Sequence, residues 1–185
     1  MNIDNEIMMK VRDGDVGKLG VLFERHHKRL FNFFLMGTRN RDTSEDLVQD
    51  VFLKIMKYRS SFRDSSDFTP WMFAIARNAK IDYYRKRENT LDALDEKGDV
   101  PSGDPGPDTS TEHENDVSYL KRALDSMPEE MREVIVLSHY DDMRYKDIAT
   151  VLGCTEGAVK VRVFRAVKEL ARKYKTLTGG NGDGL

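Results

Sequence analysis

Cysteine, proline and tryptophan are scarce in this 185-residue chain, with one, five and one respectively. The lone thiol, Cys154, excludes a disulfide within the chain, and no zinc-ligand spacing surrounds it. A reducing compartment fits, and a small packed residue is the ordinary reading of such a cysteine, ahead of a redox sensor. No apolar run approaches the roughly 20 residues that a membrane span needs. The N-terminal stretch is acidic and carries no charged-then-apolar leader, which predicts a cytoplasmic protein without direct membrane insertion. No segment repeats another. His26 and His27 are neighbours, so they point different ways on a helix, and no carboxylate or thiol joins them at ligand spacing. They read as structural. No metal, cofactor or catalytic residue is expected.

What is present is charge, and its distribution matters more than its sum. The formal net charge is −2 with 34% charged residues. Residues 88–116 hold ten acidic side chains and one lysine, a local charge of −9 that leaves +7 on the rest. The same stretch contains Pro101, Pro105, Pro107, Gly98, Gly103 and Gly106 and almost no large apolar residue. It cannot bury enough surface to offset its ordering entropy, so it reads as a disordered acidic linker. The glycine-rich end, residues 176–185, reads as a disordered tail. Two small helical domains follow, at 1–87 and 117–175.

The C-terminal domain carries the sharpest signal. Ile148, Ala149 and Leu152 give one helix an apolar stripe, and Gly153 suits the left-handed position past its end. Thr155 is placed to cap the next helix. On that second helix Val159, Val163, Ala166 and Leu170 share an inward line. Lys160, Val161, Phe164, Arg165 and Lys168 share another, with Arg162 nearby. Cations mixed with a phenylalanine and a valine are unusual for a solvated face but suit a DNA major groove. There Lys and Arg meet phosphates and guanine edges, and apolar atoms meet thymine methyls.

In the N-terminal domain a helix is predicted from Val16 to about Met36, with Leu19, Leu22, Phe23, His26, Leu30, Phe33 and Phe34 at helical spacing. A second runs from about Ser44 to Tyr58 and buries Leu47, Val51 and Ile55, with Val48, Phe52 and Met56 beside them. Its opposite face bears Asp46, Gln49, Asp50, Leu53, Lys54 and Lys57. An exposed leucine framed by charges fits the centre of a protein interface. Residues 61–69 have loop composition, with Thr69 as the expected N-cap and Pro70 at the first helical position. Trp71, Ile75 and Ala79 are expected to continue the core. Aromatic rings (Phe68, Trp71, Phe73, Tyr83, Tyr84) lie among Arg77, Lys80, Arg85, Lys86 and Arg87. That pattern suits single-stranded nucleic acid, where bases stack and phosphates pair.

Taken in order, these motifs resemble the extracytoplasmic-function group of sigma-70-type RNA polymerase sigma factors, over roughly residues 14–87 and 116–172. DLVQDVFLKIMKY (46–58) is similar to the segment of sigma region 2 that docks on polymerase. FRDSSDFTPWMFAIARNAKIDYYRKR (62–87) resembles the part that melts and reads the −10 element. MPEEMREVIVLSHYDDMRYKDIATVLGCTEGAVKVRVFRAVKEL (127–170) resembles region 4, which reads the −35 element.

The resemblance implies an all-α fold, a region 2 bundle and a region 4 helix-turn-helix joined by a flexible linker. It implies a transcription initiation factor with core RNA polymerase as partner, through the clamp helices of the largest subunit and the flap of the second-largest. Promoter DNA and an anti-sigma factor are the other implied partners. Docking would use Asp46, Gln49, Asp50, Leu53, Lys54 and Lys57. The loop with Phe62, Arg63, Ser65, Ser66 and Phe68 would capture a flipped −10 base. Trp71, Arg77, Asn78, Lys80, Asp82, Tyr83 and Arg85 would hold the adjacent strand and duplex. Thr155, Lys160, Val161, Arg162, Phe164, Arg165 and Lys168 would meet −35 DNA.

Two positions depart from the family. Pro70 stands where Arg or another polar residue is frequent, and Val161 where a small hydroxyl residue is common. Two other readings compete on the residues alone. One is a stand-alone helix-turn-helix regulator with a ligand-sensing N-terminal domain; the other is a metal-dependent nucleic-acid enzyme using Asp46 and Asp50. The basic, aromatic segment 68–87 argues against the first, and the lack of further convergent carboxylates or histidines against the second.

Overall fold

The computed structural model describes residues 2–94 and 112–179, and all the regular structure in them is helical. The chain divides into an N-terminal and a C-terminal unit.

The N-terminal unit begins with a helix that hydrophobic spacing from Val16 onward did not announce. In α1 (Ile3–Arg12) the Asn2 Oδ1 accepts from the Asp4 N–H at 3.1 Å, capping the first turn. Asp4 and Glu6 lie near its positive end, Lys10 and Arg12 near its negative end, and Met8 and Val11 are fully buried. Gly14 takes a φ of 115°, which only glycine adopts readily, and turns the chain. Val16–Lys18 is a short 3-10 turn with Val16 exposed. The expected helix therefore starts later, as α2 (Leu19–Thr38), burying Leu22, His26, Leu30, Phe33 and Phe34.

Asn40 then caps α3 (Arg41–Tyr58), its side chain accepting from the Thr43 N–H at 2.8 Å. Ser44 is buried, with its hydroxyl donating to the Asn40 carbonyl at 2.6 Å, so this helix starts earlier than Ser44. Leu47, Val48, Val51, Phe52 and Ile55 pack inward as the spacing required.

A second 3-10 turn, Arg59–Ser61, leads through a short loop to α4 (Phe68–Leu94). The expected cap at Thr69 is displaced. The Trp71 N–H donates to the Asp67 carbonyl at 3.2 Å, so the first turn begins two residues earlier. Pro70 is the third helical residue, still among the positions whose N–H lacks an intrahelical acceptor. The buried line of α4 is Phe68, Met72, Phe73, Ala76 and Ala79. Trp71 and Ile75, expected in the core, are only half-buried because the helix is rotated towards Phe68 and Phe73. Phe33 meets Phe73 edge-on at 5.4 Å.

Helix α4 continues through Leu94 and α5 (Glu112–Asp125) begins before residue 117, so both ends of the expected linker are helical. No glycine or proline interrupts residues 88–94 or 112–116. The centre of that linker, 95–111, and the tail from 180 lie outside the described residues.

The C-terminal unit comprises α5, α6 (Glu129–Ile135), a π-helical turn (Val136–Tyr140), α7 (Tyr145–Leu152) and α8 (Glu156–Leu177). Ala123, Leu124, Val134, Ile135, Leu137, Ile148, Val159, Val163 and Ala166 form its interior. Arg132 ties α6 to the end of α5, with Nη1 donating to the Asp125 carbonyl at 3.1 Å. The Tyr174 hydroxyl donates to Asp116 at 2.9 Å, and α8 runs on through Thr176 and Leu177, which composition had assigned to the tail.

Candidate nucleic-acid interface

Gly153, at φ 63°, occupies the left-handed position that ends α7. Two residues later the Thr155 Oγ1 accepts from the Ala158 N–H at 3.2 Å and starts α8. This local chemistry fixes which face of α8 turns outward. Val159, Val163 and Ala166 are buried, and Leu170 is half-buried. Lys160, Arg162, Arg165 and Lys168 are exposed, with Val161 at 49% and Phe164 at 70% exposure among them. A phenylalanine so open gains nothing from the fold it belongs to, whereas contact with a partner would remove its apolar surface from water.

Glu156 shares this face and was not singled out in the sequence. Its carboxylate pairs with the Lys160 ammonium at 3.0 Å. An exposed i,i+4 pair is worth about 0.3–0.5 kcal/mol. Exchanging that carboxylate for a DNA phosphate is therefore inexpensive for Lys160.

On α3 the face opposite the core presents Asp46, Gln49, Asp50 and Lys57, with Leu53 at 68% exposure. Lys54 is half-buried and reaches across to α4, its ammonium 3.3 Å from Asp82. Asp82 also receives Arg85 at 3.0 Å. A carboxylate on a surface meant for DNA would repel phosphates; here two cations offset it. Lys54 and Asp82, expected on different interfaces, thus hold one another.

Among the residues expected to meet −10 DNA, burial separates supports from contacts. Phe62 and Phe68 are buried, with Trp71 against Phe62 at 5.2 Å and 66°. Lys80 is buried too, its ammonium 4.8 Å from the centroid of the Phe33 ring. In this conformation these three side chains support the loop and helix rather than face a strand. Sequence spacing missed this because a lysine stem can line an apolar wall while its charge sits on an aromatic face.

Arg63, Ser65, Asn78 and Arg85 are exposed; Ser66, Trp71, Arg77, Asp82 and Tyr83 are half-buried. Tyr83 meets Tyr84 edge-on at 5.4 Å, and the Tyr84 hydroxyl donates to the Gly37 carbonyl at 3.0 Å. The exposed part of the loop is its tip around Arg63 to Ser65, closed by the Ser66 N–H donating to the Arg63 carbonyl at 2.9 Å. Pro70 is buried, so the family's polar position is not a surface position here.

His26 is buried, its Nε2 lying 2.8 Å from Asp4 Oδ2, while Arg25 Nε holds the other carboxylate oxygen at 2.6 Å. Burial pushes the imidazole below its usual value of 6.5, against the opposing pull of Asp4. The histidine is structural, joining α1 to α2.

Comparison with known proteins assigns both units. Residues 22–90 match the family model for Sigma-70 region 2, and residues 118–170 that for Sigma-70, region 4. The chain is 33% identical over 144 residues to ECF RNA polymerase sigma factor EcfG of Rhodopseudomonas palustris (strain TIE-1), covering 77% of this chain and 76% of that one. It is 27% identical over 183 residues to ECF RNA polymerase sigma-E factor of Escherichia coli (strain K12), covering 94% and 95%. Among solved structures it is similar to sigma factor RpoE from Bartonella quintana, in complex with the anti-sigma factor NepR. There the TM-score is 0.68 at 27% identity, over 88% of this chain and 98% of that one.

Proposed function

The chain belongs to the sigma-70 family of RNA polymerase sigma factors, in its extracytoplasmic-function group, and from that premise we propose how its surfaces divide the work. It directs transcription initiation and is not an enzyme: bond making belongs to the polymerase. The exposed face of α3, centred on Leu53 and bordered by Asp46, Gln49, Asp50 and Lys57, docks on the clamp helices of the largest polymerase subunit. The C-terminal unit sits at the flap of the second-largest. The outward face of α8 enters the major groove of the −35 element. There Lys160, Arg165 and Lys168 meet phosphates or guanine edges, and Val161 and Phe164 offer apolar contact. The loop tip from Arg63 to Ser66 captures a melted −10 base. Arg77, Asn78, Tyr83 and Arg85 steady the adjoining strand.

Phe164 carries this reading. A 70%-exposed phenylalanine, set among cations on a helix whose opposite face buries Val159, Val163 and Ala166, needs a partner with both phosphate and apolar surface. Base pairs in a major groove supply both.

The factor works in the cytoplasm, and an anti-sigma protein covering α3 or α8 holds it inactive. The RpoE–NepR complex of a relative supports that partner. No described helix is long and apolar enough to cross a membrane.

The test is run-off transcription with purified core polymerase on a promoter taken from upstream of the protein's own gene. A discrete transcript that requires this chain, and weakens with Lys160→Ala or Arg165→Ala, supports the assignment. A transcript indifferent to both substitutions refutes the placing of α8 in the groove.

A further inference from the structure

Helix α1 reaches both ends of the loop between the Arg59–Ser61 turn and α4. At the far end Asn5 Oδ1 accepts from the Phe68 N–H at 2.7 Å, and its Nδ2 donates to Asp67 Oδ1 at 3.0 Å. At the near end Arg12 Nη1 donates to the Phe62 carbonyl at 3.3 Å and pairs with Asp64. These contacts join residues 50 to 63 positions apart in sequence. The loop's described backbone–backbone hydrogen bonds are few: the Phe62 N–H to the Arg59 carbonyl, the Ser66 N–H to the Arg63 carbonyl, and the Trp71 N–H to the Asp67 carbonyl where α4 begins.

The helix that makes these contacts is itself fixed. Asp4 receives both Arg25 and His26, and Met8 and Val11 are fully buried beneath it. Asn5 and Arg12 lie seven residues apart, two turns of one helix, so they project on one side of it. Between the two pinned ends, Arg63, Asp64 and Ser65 stand exposed. The arrangement is a clamp: a rigid helix holds both ends of the loop and Asp64 within its tip, and leaves the Arg63 and Ser65 side chains exposed.

We propose that Asn5 and Arg12 are positioning residues for −10 recognition, presetting the Arg63–Ser66 tip in the geometry that accepts a base. The inference rests on the reading of that tip as the base-capturing segment. Holding the loop in advance lowers the ordering cost when a base binds, and it penalises a base that does not fit the preset shape. Freeing either foot lets the tip adapt to wrong bases. Discrimination suffers more than activity.

The test uses holoenzyme assembled with the full chain, carrying Asn5→Ala or Arg12→Met. Transcription is compared on the cognate promoter, on promoters with single −10 substitutions, and on one with a scrambled −35 element. Core-binding affinity is measured alongside. Each substitution is expected to lower the −10 discrimination ratio about two- to tenfold, the range of one lost hydrogen bond. Core affinity and the −35 ratio should hold, and Arg12→Lys should restore part of the loss.

Two controls separate the outcomes. If Arg63→Ala with Ser65→Ala abolishes −10 discrimination while Asn5→Ala and Arg12→Met leave it intact, the clamp has no positioning role. If the loop substitutions leave it intact as well, the base-capture reading falls and takes the inference with it. Equal loss on every promoter, with weakened core binding, reduces α1 to a stabilising helix. Should Asn5→Ala fail to fold, Arg12→Met alone decides, since its pairing with Asp64 lies on an exposed part of the loop.

Discussion

Phe164→Ala separates folding from recognition more cleanly than any other single change on α8. About 70% of the ring is open to solvent in the free protein, so its removal leaves no cavity. Stability should change by no more than about 0.5 kcal/mol, the ordinary range for surface substitutions. Binding is different. Complete burial of a phenylalanine side chain is worth about 1.5–3 kcal/mol, and roughly 70% of that, about 1–2 kcal/mol, is still available when a partner covers it. At 1.4 kcal/mol per factor of ten, the affinity of holoenzyme for a promoter should fall roughly five- to thirtyfold. The assay is fluorescence anisotropy of labelled promoter with holoenzyme, repeated on a promoter whose −35 element has been scrambled. The loss should appear on the intact promoter and vanish on the scrambled one. A thermal midpoint lowered by several degrees, or an equal loss on both promoters, would refute the assignment of the ring to the −35 groove.

Other consequences are as direct. Thr155→Ala removes the oxygen that accepts from the Ala158 N–H and should cost about 1 kcal/mol of stability in a denaturant melt, with Thr155→Ser close to neutral. Leu53→Asp, on a 68%-exposed side chain, should abolish core-polymerase binding in a pull-down while leaving the melting curve unchanged; intact binding would remove α3 as the docking helix. His26 contributes a pH term. Because burial lowers its pKa in the fold, the unfolded chain takes up the proton first as pH falls below 6.5, and stability declines with it. Urea midpoints at pH 7.5 and 5.5 should differ less in His26→Gln than in the parent, and an equal difference would assign the slope elsewhere.

The recognition helix was legible because its determinants are local. Gly153 and Thr155 mark its start, and a 3.6-residue period separates Val159, Val163 and Ala166 from Lys160, Phe164 and Arg165. The buried line of α3 was legible for the same reason. What escaped depends on contacts distant in sequence. Helix α1 is short and half polar, yet Asn2 ahead of Ile3, Ile7, Met8 and Val11 is a readable cap-and-stripe signal.

The start of α4 could not be read from Thr69 and Pro70, since the Phe68 N–H is satisfied by Asn5 from 63 residues away. Lys80 looked like a nucleic-acid contact by type and spacing. Its burial follows from Phe33, on another helix, offering an aromatic face to its charge. The ends of the acidic stretch were misassigned for a simpler reason. Charge and glycine content averaged over 88–116 conceal short runs free of helix breakers at each end.

The division of labour between α8 and the 63–66 tip is tested most directly by photo-crosslinking in the open complex. Phe164 and Ser65 would each be replaced, in separate full-length chains, by a photoreactive amino acid, and the crosslinked promoter positions mapped with core polymerase present. Position 164 should join duplex DNA of the −35 element, and position 65 the non-template strand of the −10 element. Crosslinks from both positions to the same element, or from neither to DNA in a complex that still initiates transcription, would contradict it.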